Sequence, residues 1–104
     1  MTISELLTDE SKWTTEVYAR DAAGRPVSAV DPTACRWCLT GAMIRCYTDP
    51  DQADAAEAKL LAAWARWEPR AHEQNPTAST LTGWNDAFGR TFEDVKALVE
   101  EAGV

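Results

Sequence analysis

The sequence is poor in the residues that most often carry chemistry. It holds one histidine, His72, and 10 lysines and arginines against 17 aspartates and glutamates, for a formal net charge of −7. An excess of acid this large repels nucleic-acid phosphates and anionic bilayers, so neither nucleic acid nor membrane is an expected partner. No apolar run approaches the roughly 18–20 residues of a membrane span. Met1-Thr2-Ile3-Ser4-Glu5 lacks the basic and apolar regions of a signal peptide. Glycine-rich phosphate loops are absent, no pair of acids flanks a sugar cleft, and basic–aromatic interleaving of the RNA-binding kind is missing. Three cysteines, an odd number, suit a reducing compartment better than a disulfide scaffold, and the expected location is cytoplasmic.

What is present is enough for a core. Of 104 residues, 45% are hydrophobic and five are tryptophan, which supports one domain over residues 1–104 without a metal or disulfide staple. The acids gather in two stretches, Asp49–Glu57 and Glu93–Glu101. Both read as solubility and helix N-terminal charge. The sharper alternative is a mimic of nucleic-acid charge that blocks a basic partner.

Helix signals recur along the chain. Thr2 and Glu5 have capping-box spacing before Ile3, Leu6 and Leu7, with Trp13 expected near that helix's end. Asp21-Ala22-Ala23-Gly24 is a turn signal across which Val17–Arg20 and Arg25–Ser28 can pair as a short β-hairpin spanning 17–28. Asp31-Pro32 reads as a helix start, predicting a central buried helix over 32–47, with Arg36, Thr40 and Tyr47 on its wet strip. Gly41 and Ala42 leave room there for a second helix to approach. Asp49-Pro50 repeats the signal before an amphipathic helix over 51–68, with Ala56, Leu60, Ala63, Trp64 and Trp67 on one face and Pro69 as its stop. Residues 69–83 read as a connector with one helical turn at Asn75-Pro76, and residues 84–90 as a compact loop. Thr91 and Asp94 cap a last helix whose stripe is Phe92, Val95, Leu98, Val99 and Ala102, closed by Gly103. The expected fold is mainly α: about four helices around the helix at 32–47, with one short hairpin.

Three groups of residues invite a chemical reading. Cys35-Arg36-Trp37-Cys38 has the spacing of a redox or metal pair, with Cys35 expected in the first turn of the central helix. Cys46 would lie about 16 Å farther along that helix, too far to share one ion. No cofactor or metal is therefore expected, and the cysteines read as small core hydrophobes. His72 stands alone in a polar stretch and reads as an exposed loop residue. Trp84, Asn85, Asp86 and Arg90 form the most promising polar cluster, either closing their own loop or presenting a ligand or partner site.

The blocks Ala19-Arg20-Asp21, Gly24-Arg25-Pro26-Val27, Trp37-Cys38-Leu39 with Gly41-Ala42, Trp84-Asn85-Asp86 and Gly89-Arg90-Thr91 before Glu93-Asp94-Val95 resemble a family of small uncharacterised bacterial and phage proteins, a domain of unknown function. Phe88 stands where such proteins often have proline. The resemblance implies a compact helical domain with a phage- or prophage-type accessory role, and supplies no activity or catalytic residue. The function expected from the residues is a non-enzymatic protein-interaction domain, its partner another protein or a second copy in a homodimer. The alternative is a small-molecule-binding protein or enzyme with a cleft near Trp84-Asn85-Asp86.

Overall fold

A short buried helix sits at the centre of the molecule, and the remaining elements are arranged around it. The computed structural model describes residues 1–68 and 78–104, with the backbone alone for Ala78 and Ser79. The expectations for Pro69, His72 and Asn75-Pro76 lie outside the described residues. Helix α1 (Ile3–Leu6) opens with the expected capping box: the Glu5 N–H donates to Thr2 Oγ1 and the Thr2 N–H to Glu5 Oε1, both at 3.1 Å. It stops at Leu6, short of the expected reach to Trp13, which instead follows a separate 3₁₀ turn at Glu10–Lys12. Asp9 starts that turn by accepting from the Ser11 N–H at 2.9 Å.

The hairpin forms as its turn residues predict. Strand β1 (Ala19–Arg20) pairs antiparallel with β2 (Pro26–Val27), placing Ala19 opposite Val27 and Arg20 opposite Pro26. Gly24 takes the left-handed conformation that closes the turn (φ +82°), and its N–H reaches the Asp21 carbonyl at 2.9 Å. The Asp21 carboxylate accepts from the Ala23 and Arg25 N–H groups, each at 2.9 Å, and from Arg25 Nε at 2.8 Å. The hydrogen bond from the Arg25 backbone N–H, above all, holds the Asp21 carboxyl below its usual range.

The predicted helix over 32–47 is corrected. Asp31-Pro32-Thr33-Ala34 forms a β-turn, with the Ala34 N–H on the Asp31 carbonyl at 3.0 Å and the Asp31 carboxylate accepting from the Thr33 N–H at 2.8 Å. The chain then extends as β3 (Arg36–Trp37), which pairs with the free side of β1, giving the sheet order β2-β1-β3. Only after Cys38 does helix α2 (Leu39–Cys46) begin. The residues after Pro32 include Thr33, Cys35, Arg36, Trp37 and Cys38, several of which are poor helix formers. Trp37 is buried, with its indole N–H on the Ala29 carbonyl at 2.9 Å. Thr40, expected on the wet strip, is buried, its hydroxyl 3.0 Å from that of Thr82. Gly41 does meet a close neighbour, but it is the hairpin backbone at Tyr18 and not a second helix.

The second Asp-Pro behaves as predicted. Asp49 caps helix α3 (Pro50–Trp67), and Ala56, Leu60, Ala63 and Trp64 face the core, while Trp67 stays partly exposed. Within the stretch read as a connector, residues 78–83 instead belong to helix α4 (Ala78–Asn85), which also takes in Trp84 and Asn85. Helix α5 (Phe92–Ala102) has the Thr91–Asp94 capping box and ends at Gly103 in the left-handed region (φ 73°). It buries Phe92, Val95, Leu98 and Val99 in the core, as the stripe predicts, and packs against α3 and α1. One apolar cluster runs from Ile3 to Val104 and joins helices α1 to α5 to the sheet. The fold is thus mixed: mainly helical, with a three-stranded antiparallel sheet beside α2.

Candidate functional site

The three neighbouring residues Trp84, Asn85 and Asp86 point in three directions, because successive residues at a helix end are turned by about 100°. Asn85 points inward and is fully buried. Its Oδ1 accepts from Trp13 Nε1 at 2.8 Å and from the Leu39 N–H at 3.2 Å. Its Nδ2 donates to the Thr14 carbonyl at 3.3 Å and to Asp86 Oδ1 at 2.9 Å. The Leu39 amide is the first of α2 and has no acceptor within its own helix. A side chain from α4 therefore caps α2 and at the same time fixes the segment at Trp13-Thr14. Asn85 is a structural strut, with each of its polar atoms engaged in two hydrogen bonds.

Trp84 and Arg90 form a second group on another face. The Arg90 guanidinium lies 4.1 Å from the centre of the Trp84 ring, and Arg90 Nε donates to the Trp84 carbonyl at 2.7 Å. Arg90 also stands 3.6 Å from the Asp94 carboxylate. The Trp67 ring is 6.4 Å from that of Trp84, tilted by 54°. Together with Trp64 these side chains line a recess of about 270 Å³. The guanidinium already covers one face of Trp84, so the group closes the end of α4 as much as it presents a surface.

Asp86 turns to the other side. Its Oδ1 accepts from the Glu16 N–H at 2.9 Å as well as from Asn85. That bond holds Glu16 at φ 73°, a left-handed conformation that costs a non-glycine residue roughly 1–2 kcal/mol. Asp86 and Glu16 stand at a groove of about 540 Å³ between the hairpin and α4. Val17, Tyr18, Pro26 and Val27 supply its apolar wall, and Cys38 reaches it from the start of α2. Sequence reasoning found Asp86 and missed this wall. The hairpin was legible, but nothing in its residues shows that one side of it remains uncovered. Phe88, which stands where similar proteins often have proline, is fully exposed on the turn between α4 and α5.

The cysteines lie differently from the expected arrangement. Cys38, not Cys35, stands at the start of α2, where its Sγ accepts from the Gly41 N–H at 3.2 Å. Burial pushes the Cys38 thiol up, and this outweighs the helix amides that favour a thiolate. Burial also raises Cys46. All three cysteines are free, and no group of three or more metal-ligating side chains is found among the described residues. No helix among the described residues is long and apolar enough to cross a membrane.

These features define a small, mainly helical domain with a hairpin-flanked groove and a capping asparagine between its helices. The chain belongs to a family of unknown function, DUF6197, whose profile matches residues 2–103. No curated protein and no solved structure matches it.

Proposed function

We propose that the protein is a non-enzymatic interaction domain that docks another protein in the groove between the hairpin and α4. The observation that carries this reading is the groove itself: about 540 Å³, walled by Tyr18, Val17, Pro26 and Val27, with Tyr18 more than half exposed. Volumes of roughly 300–1,000 Å³ with apolar walls and a few fixed polar groups are those of binding sites. Asn85, which a catalytic reading would need, is engaged as a strut, and Arg90 is held on Trp84. The three free cysteines support a cytoplasmic setting.

Affinity capture from the native host tests the reading with three forms of the chain: unaltered, Tyr18→Ser and Phe88→Ser. Both substituted side chains are exposed, so melting temperatures should hold within a few degrees. The expected result is a protein retained by the unaltered chain and by Phe88→Ser but lost by Tyr18→Ser. Capture unaffected by Tyr18→Ser, or lost only with Phe88→Ser, would remove the groove from the reading. A dimer on sizing that Tyr18→Ser dissociates would make the partner a second copy.

A further inference from the structure

We infer that the groove's occupant is an arginine-bearing peptide segment of the partner, with its guanidinium received by the Asp86 carboxylate beside Glu16. The inference rests on the docking reading above. Charge complementarity carries it. Two carboxylates stand at the groove and, among the described residues, no lysine or arginine lines it, within a chain of net charge −7. Asp86 Oδ1 is held by the Glu16 N–H and by Asn85 Nδ2, both at 2.9 Å, which fixes the carboxyl plane before any ligand arrives. Asp86 Oδ2 takes no hydrogen bond among the described residues. A preset acceptor of this kind loses little entropy on binding.

The apolar wall selects what carries the cation. A guanidinium on a three-carbon stem can lay that stem along Val17 and Val27 while its planar head meets a carboxylate and the Tyr18 ring. A bare metal ion gains nothing from such a wall. Strand addition along the free edge of β2 is disfavoured, because Pro26 has no N–H to donate. Recognition therefore falls on a side chain inserted into the groove rather than on a backbone ladder.

The test is an amide-resolved NMR titration of the full chain with a blocked five-residue peptide, a central arginine flanked by leucines. A citrulline counterpart keeps the shape and removes the charge. The expected result is that the arginine peptide shifts the amides of Glu16, Tyr18, Val27 and Asp86. It should bind about tenfold tighter than the citrulline form, as a charge-assisted hydrogen bond implies, and weaken with salt. Asp86→Asn keeps an acceptor for the Glu16 N–H and should reduce the preference to about twofold or less. Should Asp86→Asn fail to fold, Glu16→Gln, at an exposed residue, should lower the preference in the same direction. Equal binding of the two peptides would overturn the arginine assignment and leave the docking reading intact. Spermidine binding as tightly as the arginine peptide would overturn it in favour of a free amine. If neither peptide moves the groove amides the inference falls, and the Tyr18→Ser capture result then decides the docking reading separately.

Discussion

Replacing Gly41 by alanine should destabilise the protein although alanine is the better helix former. Gly41 lies in the first turn of α2, under the hairpin. A Cβ there would stand 2.7 Å from the carbonyl carbon of Tyr18 and 3.1 Å from its Cα, with the carbonyl oxygen nearer still. Both sides of this contact are backbone, so no side chain can swing away. The hairpin has to retreat by on the order of 1 Å, in an interior packed as tightly as an organic crystal. Overpacking of this kind costs about 1–3 kcal/mol. The retreat also stretches the bond from the Cys38 N–H to the Tyr18 carbonyl, now 3.2 Å, worth about 0.5–1.5 kcal/mol. Helix propensity returns about 1 kcal/mol. With backbone against backbone the upper part of the range applies, and the net loss is about 2–3 kcal/mol. At about 4–8 °C per kcal/mol for a domain of this size, the melting temperature should fall by roughly 10–20 °C. Gly83 is the internal control: it lies within α4, and a Cβ there meets nothing within 4 Å. Gly83→Ala should be neutral or stabilise by up to about 1 kcal/mol. Urea denaturation followed by tryptophan fluorescence measures both. A Gly41→Ala protein as stable as the unaltered chain, or more so, would refute the close approach of α2 and the hairpin.

Asn85→Ala should cost about 3–5 kcal/mol in the same assay, because it leaves the Leu39 amide, the Trp13 indole N–H and the Thr14 carbonyl without their partner. Asn85→Asp should be more damaging at pH 7 than at pH 4, since it turns a carboxylate oxygen toward the Thr14 carbonyl and Asp86; equal stability at the two pH values would contradict the bonding assigned to Asn85. Of the three cysteines, Cys38 should react slowest with a thiol reagent at neutral pH, read by mass spectrometry of the labelled peptides, because it is buried and its thiol is pushed up; rapid labelling of Cys38 would reverse that assignment. Asp21 has a folded-state pKa below its unfolded value, so its contribution is present above about pH 4 and disappears as pH falls through the folded value. The protection of the Ala23 and Arg25 amides, as exchange rates relative to the intrinsic rate at each pH, should fall over that acid range in the unaltered chain, and constant protection there would rule out the Asp21 bonds as the cause of the turn's order.

Signals confined to a few neighbouring residues were legible in the sequence. The capping boxes at Thr2–Glu5 and Thr91–Asp94, the Asp21–Gly24 turn and the stop at Gly103 involve partners within about one helical turn, so local composition decides them. The two Asp-Pro pairs mark the limit. Aspartate before proline suits both a helix N-cap and a β-turn, and the dipeptide alone does not choose. After Pro50 come Asp51, Gln52, Ala53, Asp54 and Ala55, and a helix propagates; after Pro32 come Thr33, Ala34, Cys35, Arg36 and Trp37, and a strand forms because β1 offers a free edge. Helix α4 was illegible for a related reason. Thr80, Thr82 and Gly83 are weak helix formers, and the helix persists through Leu81 and Asn85, four residues apart and both buried.

The candidate site shows the same boundary from the side of function. Trp84, Asn85 and Asp86 looked like one cluster because they are adjacent in sequence, yet the helix end distributes them among a surface recess, the core and the groove. The residues that share the groove with Asp86 come from 16–18, 26–28, Cys38 and Thr82, and the hydrogen bonding that ties Asp86 to the rest passes through Asn85. Asn85 fixes the Trp13-Thr14 segment two residues before Glu16, caps the helix that starts after Cys38, and holds the Asp86 carboxyl. Stability and groove geometry are therefore coupled at one buried amide. A substitution at Asn85 that the fold survives should still displace Glu16 and Asp86 relative to each other, whereas Tyr18, on the open wall, can be changed without disturbing either. That asymmetry is why the functional tests belong at Tyr18, Glu16 and Asp86, and why loss of binding in an Asn85 variant would say nothing about recognition.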